Sequence, residues 1–161
     1  MRRKDREITD FDRICRILEE SKILHLGLID GDYPSIVPLH YGYTVDTEAK
    51  TITFYIHCAK EGHKLDLIRA SSKVFVQLEC GVALISGQDN PCAYGASYAS
   101  FMGRGIAELV SSKEEKAEAL QLLMLQQTGR KFEIHTAMTE AVEVVRVTVA
   151  DYSAKSRPSE A

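Results

Sequence analysis

Apolar and polar residues alternate in several short segments of this chain, and that two-residue period is typical of strands with one buried face. In the clearest example, residues 51–57, one face carries apolar side chains and the other more polar ones: Ile52, Phe54 and Ile56 against Thr53, Tyr55 and His57. Similar segments predict further strands at residues 23–29, 35–41, 73–79, 98–107 and 141–149.

Helical spacing and cap signals predict two or three helices. Thr9 can cap a first helix, whose apolar stripe comprises Phe11, Ile14, Ile17 and Leu18. Residues 62–70 predict a short second helix. A third helix, of about four turns, begins at a capping box in residues 112–115 and ends at Gly129.

Turn signals between the strands indicate how the strands connect. Asp30-Gly31 and the polar residues 46–50 are typical of hairpin turns. Pro38 cannot donate a hydrogen bond within a sheet, so it marks an edge, a bulge or a stretch that faces a ligand. Six or more antiparallel strands with two to four helices packed outside predict a mainly β fold, a small β-barrel. A parallel βαβ fold is disfavoured because most strands follow one another directly.

Composition sets the class of protein. The 161 residues are 45% hydrophobic and 27% charged, as expected for one domain with a single core. A net charge of −3 argues against a broad nucleic-acid surface. No apolar run reaches the ~18 residues of a membrane span, and the charged start lacks the apolar stretch of a signal peptide. We therefore expect a cytoplasmic protein that binds neither nucleic acid nor membrane.

The cysteines and the C-terminal segment complete this outline. The four cysteines form no C-x-x-C pair and are expected to be free thiols, namely Cys15, Cys58, Cys80 and Cys92. Residues 153–161 are polar and predict a frayed end. We expect one domain at residues 1–155 and a polar tail at residues 156–161.

The segment 57–64, which reads His-Cys-Ala-Lys-Glu-Gly-His-Lys, joins a predicted strand to a predicted helix. The N–H groups at a helix start are unpaired and favour anions. Gly62 leaves the backbone accessible, and His63 and Lys64 add donors and charge. A phosphate-bearing ligand is one interpretation; taken by itself, the segment favours the simpler one, a solvated helix start.

The remaining histidines and cysteines give weaker signals. The spacing of His57, Cys58, His63 and Cys80 matches no standard zinc pattern, so no metal site is predicted. His25 is expected in the core or an interface, and His135 at the surface. His40 and Tyr41 either line a ligand pocket or lie on the rim of the barrel.

Three segments in this order resemble the FMN-binding split-barrel superfamily of pyridoxamine-phosphate-oxidase-like proteins, and within it the nitroimidazole-resistance branch. They are Val-Pro-Leu-His-Tyr-Gly-Tyr at 37–43, Phe-Tyr-Ile-His-Cys-Ala-Lys-Glu-Gly-His-Lys-Leu at 54–65 and Tyr-Ala-Ser-Phe-Met-Gly-Arg-Gly-Ile-Ala-Glu at 98–108. The resemblance extends from about residue 3 to about residue 155.

The resemblance implies a homodimer that binds FMN in a cleft at the subunit interface. The backbone of Val37, Pro38 and Leu39 would border the isoalloxazine ring, and residues His57, Cys58 and Ala59 would lie beside the ring and ribityl chain. His63 and Lys64 would bind the phosphate. Tyr98 and Ser100 would lie on the strand nearest the flavin of the partner subunit. His57 is the catalytic candidate that the resemblance implies.

The function expected from this resemblance is that of an FMN-dependent oxidoreductase, with reduction of a nitro group on a small aromatic or heterocyclic substrate as the branch-level hypothesis. Pyridoxamine-phosphate oxidation itself is not expected, because the chain end does not match the arginine-rich segment that holds that substrate. His63 stands where many relatives carry arginine. The alternatives are a non-catalytic protein that binds flavin, deazaflavin or haem, and a structural dimer with an empty cleft.

Overall fold

The computed structural model of this protein describes residues 3–158. Within them the chain forms eight β-strands and three α-helices. The strands are β1 (Glu7–Ile8), β2 (Leu24–Asp30), β3 (Tyr33–Leu39), β4 (Gly42–Asp46), β5 (Thr51–Cys58), β6 (Lys73–Ile85), β7 (Gly95–Leu109) and β8 (Glu143–Arg157). The helices are α1 (Phe11–Glu20), α2 (His63–Ala70) and α3 (Lys113–Thr128), and short 3-10 turns lie at Lys4–Arg6, Pro91–Ala93 and Thr136–Ala141.

All the strands belong to one antiparallel sheet with the order β3-β2-β6-β7-β8-β5-β4, and β1 pairs with β8. The hydrogen-bonded path ends at β3 and β4 rather than closing on itself. This arrangement confirms the predicted mainly β, split-barrel fold. Pro38 lies on the edge strand β3, opposite His25, where its missing N–H leaves no gap inside the sheet.

The core forms from the alternating positions that the sequence indicated. In β5 the side chains of Ile52, Phe54 and Ile56 are at most 1% exposed. In the neighbouring strand β8, Val145, Val147 and Val149 are fully buried on the same side of the sheet. A β-branched or aromatic side chain at every second position therefore gives the barrel its continuous apolar interior.

The helices begin and end at polar caps. The helix α1 starts one residue later than predicted, because the carboxylate of Asp10, not the hydroxyl of Thr9, accepts the hydrogen bond from the N–H of Arg13. Ser112 caps α3 by accepting from the N–H of Glu115, and Gly129 ends α3 with φ +70°. Both α3 boundaries are as predicted.

Several strands are longer than their hydrophobic pattern. Asp30 pairs with Tyr33, so the first hairpin turn consists of Gly31 and Asp32. The strands β6 and β7 extend into one long hairpin, with a register shift between Cys80 and Ala83.

The predicted frayed end at residue 153 is wrong for most of its length. Ser153–Arg157 pairs with Tyr98–Met102 in β7, two residues beyond the expected domain end at 155. Pairing with a long neighbour satisfies the backbone of this segment whatever its side chains are. Residues 159–161 lie outside the described part of the chain, as do residues 1 and 2.

Between residues 3 and 158, no helix is both long enough and apolar enough to cross a membrane. The four cysteines predicted as thiols are all free.

Candidate functional site

Three segments that the sequence singled out lie close together, although β3 and β5 are near opposite ends of the strand order. These are the end of β3, the end of β5 and the start of α2. Asp30, at the end of β2, contacts the His63 side chain at the start of α2. The charges of Lys64 in α2 and of His40, just after β3, both act on His57 at the end of β5. Most of the predicted cofactor residues therefore share one region.

The start of α2 has no side-chain cap, unlike the starts of α1 and α3. The first bond of the helix runs from the N–H of Leu65 to the carbonyl oxygen of Gly62. The N–H groups of His63 and Lys64 have no partner among the described residues. Gly62 has φ +134°, and a Cβ added there would meet no atom within 4 Å. The turn thus presents free donors to open space, as an anion requires.

Lys64 adds an uncompensated positive charge to this turn. Its side chain is half-buried, and no carboxylate in the described chain forms an ion pair with it. Its charge is felt by both His57 and Cys58. A half-buried cation without an ion-pair partner is suited to hold a ligand anion.

His63 is an exposed residue whose ring is held by a carboxylate. Its Nε2 lies 2.7 Å from Oδ2 of Asp30. The hydrogen bond to Asp30, and then the charge of Asp30, raise the pKa of His63 above its ordinary value. The imidazole is therefore charged over a wider pH range than a free histidine.

His57 lies on the face of β5 that points away from the core. Partial burial of the ring, followed by the charges of Lys64 and His40, lowers its pKa. The described residues offer the imidazole no hydrogen-bond partner. His57 is therefore neutral at pH 7 and accessible, and it can accept or donate one hydrogen bond.

Cys58 occupies the opposite face of β5 and packs against the core. Burial is the main cause that raises the pKa of its thiol, with Lys64 acting in the opposite direction. The protonated thiol is neither a ready nucleophile nor a ready metal ligand. Within the described residues, no three His, Cys, Asp or Glu side chains are grouped so as to hold a metal ion.

Tyr98 and Ser100 are remote from the other predicted residues within one chain. Ser100 pairs with Lys155 near one end of β8, whereas His57 pairs with Val144 near the other. The path along β8 between these two positions is roughly 35 Å, at about 3.3 Å per residue. One chain therefore does not bring the two groups of residues together.

Ser100 has a buried hydroxyl group without a hydrogen-bond partner in the described residues. The residue as a whole is 6% exposed. It lines a cavity of about 230 Å³ together with Met102 and Lys155. The Nζ of Lys155 lies 5.5 Å from the centre of the Tyr98 ring. A buried hydroxyl without a partner is rare, which marks this position as incomplete.

The outer face of β2, β3, β6 and β7 carries large apolar side chains that sequence reasoning did not select. Phe75 is 44% exposed and Ile36 is 64% exposed. His25, on the same face, keeps Nδ1 buried without a partner. The signal for Phe75 was available, because it falls between the buried Val74 and Val76 and therefore has to point outward.

Two larger cavities lie on either side of α3. They have volumes of about 430 Å³ and about 670 Å³, and Leu122 and Leu125 line both. None of the predicted site residues lines either cavity. The site that the sequence indicated is therefore separate from both of these cavities.

A family model described as pyridoxamine 5'-phosphate oxidase matches residues 10–156, which is nearly the whole chain. The chain belongs to this family. The matched range includes the end of β3, the end of β5 and the start of α2. The matched range spans the positions of all the predicted site residues.

Solved structures agree with this assignment. A candidate 5-nitroimidazole antibiotic resistance protein from Bacteroides thetaiotaomicron is 28% identical, with a TM-score of 0.78 over 93% of this chain and 86% of that one. The flavocytochrome Anf3 from Azotobacter vinelandii is 20% identical, with a TM-score of 0.79 over 98% and 72%. An FAD and heme binding protein from Mycobacterium smegmatis is 15% identical, with a TM-score of 0.78 over 97% and 77%.

The first of these confirms the resemblance to the nitroimidazole-resistance branch, and the other two show the fold alone. No curated protein sequence matches the chain.

Proposed function

We propose that this protein is an FMN-binding flavoprotein that holds the flavin phosphate at the start of α2. The observation that carries this proposal is the uncapped turn at Gly62. Two free N–H groups meet there with the unpaired Lys64 and with His63, whose pKa the contact with Asp30 raises. Each of these groups favours a dianion. The family match over residues 10–156 makes a flavin phosphate the anion of choice.

The residues present fit such a ligand. Val37 and Leu39 turn inward against the core, which leaves the backbone of the edge strand β3 to border a flat ring. Pro38 has no backbone N–H, so a ring that packs against it leaves no donor there without a hydrogen-bond partner. Ala59 is small and exposed between His57 and the phosphate turn.

We also propose that the working form is a homodimer with the flavin at the interface. Tyr98 and Ser100 lie far along β8 from His57 of their own chain, and we place them near the His57 of a second copy. The exposed Phe75 and Ile36, with the unpartnered Nδ1 of His25, supply a face that association would bury. A second copy also offers Ser100 a partner.

The bound flavin would supply the redox chemistry, and the chain would position the substrate. We assign to His57 the contact with the substrate. Because the pKa of His57 is lowered, its neutral ring orients a small aromatic or heterocyclic compound by a hydrogen bond, and it donates a proton only at acidic pH.

A nitro group is the proposed electron acceptor, since one similar structure is described as a nitroimidazole resistance protein. Its reduction to an amine consumes electrons and protons and releases water, and a reduced nicotinamide is the proposed electron donor. Pyridoxamine-phosphate oxidation is not part of the proposal.

A cytoplasmic location fits the same proposal. All four cysteines are free thiols, and a reducing compartment keeps thiols in that state.

The decisive experiment is a titration of the purified protein with FMN, followed by flavin fluorescence. Riboflavin, which lacks the phosphate, is the matched control ligand. We expect FMN to bind and riboflavin to bind more weakly. A protein that binds neither would overturn the flavin proposal.

Turnover then separates an enzyme from a non-catalytic binding protein. The assay supplies the FMN-loaded protein with a reduced nicotinamide and a nitroaromatic acceptor. Oxidation of the nicotinamide that depends on the acceptor supports the oxidoreductase. FMN binding without any turnover would favour a flavin, deazaflavin or haem binding protein of the same fold, the class to which the flavocytochrome and the FAD and heme binding protein point.

A further inference from the structure

The pair formed by Asp30 and His63 joins two elements that the sequence keeps 33 residues apart. Asp30 ends β2, and His63 opens α2. The contact of 2.7 Å uses the Nε2 atom of the imidazole. The other ring nitrogen, Nδ1, has no partner among the described residues. One edge of the ring is therefore fixed, and the opposite edge is available.

A histidine that donates to two anions has to carry both of its protons. Neutral imidazole has one N–H donor and one acceptor, whereas imidazolium has two donors. A carboxylate on one nitrogen fixes the orientation of the ring, as carboxylates do behind histidines that hold metal ions. Its negative charge also favours the protonated ring. Asp30 is placed to act in this way.

We infer that Asp30 is a positioning residue of the phosphate site, which holds His63 as an imidazolium that donates from Nε2 to Asp30 and from Nδ1 to the phosphate. This inference rests on the proposed function and deepens it. It explains how a histidine, rather than a permanently charged residue, serves a phosphate site at neutral pH.

The charges that act on His63 come from two elements. Asp30 in β2 raises its pKa through the hydrogen bond and through its charge, and Asp66, three residues further along α2, adds a smaller increase. Asp66 is paired with Arg69 at 3.2 Å. Slight burial acts the other way. Removal of Asp30 should therefore lower the pKa of His63 toward its ordinary value.

The test compares the FMN dissociation constants of the parent protein and of Asp30→Asn at about pH 6 and about pH 7.5, on either side of the range in which histidine titrates. The substitution is isosteric, and the site is partly exposed, so the fold is kept. The titration of FMN itself affects both proteins alike and cancels in the ratio of their constants, variant over parent. The repulsion between Asp30 and the phosphate strengthens as the phosphate loses its second proton near pH 6. Relief of that repulsion in Asp30→Asn would lower the ratio at the higher pH, which is opposite to the change expected from His63.

We expect that ratio to grow by roughly two- to fivefold from the lower to the higher pH, the range for an exposed ion pair. Asp32→Asn is the matched control, since it removes the same charge from the same turn and Asp32 makes no contact with His63. Its ratio should not grow with pH. Asp30→Asn should likewise show no growth of the ratio in the His63→Arg background, because arginine does not titrate in this range. Riboflavin affinity should not change.

A ratio for Asp30→Asn that is equal at the two pH values would overturn the inference. The same growth in Asp32→Asn, or in the His63→Arg background, would overturn it too. The proton NMR titration of the His63 ring, without flavin, gives a separate readout, and its midpoint should fall in Asp30→Asn. If the parent protein bound no FMN, both the proposed function and this inference would be wrong. If it bound FMN but the ratio did not change with pH, only this inference would be wrong.

Discussion

The hydroxyl of Tyr41 and the side-chain amide of Gln126 both lie within hydrogen-bond distance of the same two carbonyl oxygens, those of Leu18 and Ser21 at the end of α1. The last carbonyl groups of a helix have no partner within the helix. Tyr41 comes from the connection between β3 and β4, and Gln126 comes from α3. The two side chains therefore join three separate elements around one buried helix end.

We expect Tyr41→Phe to lower the free energy of unfolding by about 0.5–1.5 kcal/mol, since Gln126 still serves both carbonyls. Gln126→Leu should cost about 1–3 kcal/mol, because it also leaves the carbonyl of Glu19 without that donor. Urea unfolding followed by circular dichroism measures both. The double variant should lose more free energy of unfolding than the two single variants lose together. Losses that simply add would show that the two donors do not replace each other.

Gly42 lets β4 lie directly on the backbone of α3. A Cβ at this position would overlap the backbone of Leu122 and Leu123, which cannot move as a side chain can. We expect Gly42→Ala to destabilise the fold by about 3 kcal/mol, the upper range for overpacking. Thermal unfolding checks this. Gly27→Ala is the control, since its Cβ would lie 3.4 Å from Phe75, and an equal loss there would remove the special role of Gly42.

The phosphate site predicts a specific loss on Lys64→Ala. The substitution removes one charged hydrogen bond, which is worth about 1.5–3 kcal/mol, so FMN should bind roughly 10- to 150-fold more weakly. The measurement is the fluorescence titration described above. Lys60→Ala, in the exposed loop before α2, is the matched control and should bind FMN normally. Unchanged affinity in Lys64→Ala would place the phosphate elsewhere.

Partial burial of the ring, and then the charge of Lys64, lower the pKa of His57. Lys64 lowers the pKa of His57, so Lys64→Met should raise it, and the neutral imidazole should then be lost at a higher pH. Proton NMR of the His57 ring in the flavin-free protein follows this directly. Lys60→Met should leave the midpoint where it is. A midpoint that did not move in Lys64→Met would show that Lys64 does not contribute to the lowered pKa of His57.

His57→Gln tests the role of His57 in turnover. We expect near-normal FMN affinity with slower turnover of a nitroaromatic acceptor. If neutral His57 orients the substrate, the parent rate falls as pH drops through the lowered pKa of His57, and this acidic limb should be absent from His57→Gln. Equal losses of affinity and turnover would make His57 a cofactor ligand instead.

The homodimer predicts that Phe75→Glu yields monomers. A carboxylate in the centre of the apolar face would have to be buried on association, and such burial is costly without a partner. Light scattering coupled to size-exclusion chromatography reports the mass. Phe132→Glu is the control, because Phe132 is 37% exposed beside α3, away from this face. A Phe75→Glu protein that stays dimeric would move the interface elsewhere.

Local chemistry was sufficient to predict most of the strands, the three helices and the inner face of β5. Alternation in residues 51–57 foretold which side chains of β5 would be buried, because a strand turns successive side chains to opposite faces. The Ser112 cap and Gly129 foretold both ends of α3. The segment 57–64 foretold a strand that leads into an uncapped helix start. The family resemblance, not the spacing, supplied FMN as the ligand.

Long-range contacts decided the rest, because they join residues whose separation in sequence carries no signal. Nothing near Asp30 indicates that it will contact His63, and nothing near Gln126 indicates that it will meet the end of α1. The polar residues of Ser153–Arg157 gave no strand pattern, yet the long strand β7 pairs with them. The sequence by itself determined the inner face of β5, both ends of α3 and the uncapped turn before α2. Only the tertiary structure placed Asp30 behind His63 and separated Ser100 from His57, since those distances depend on sheet pairing and not on local propensity.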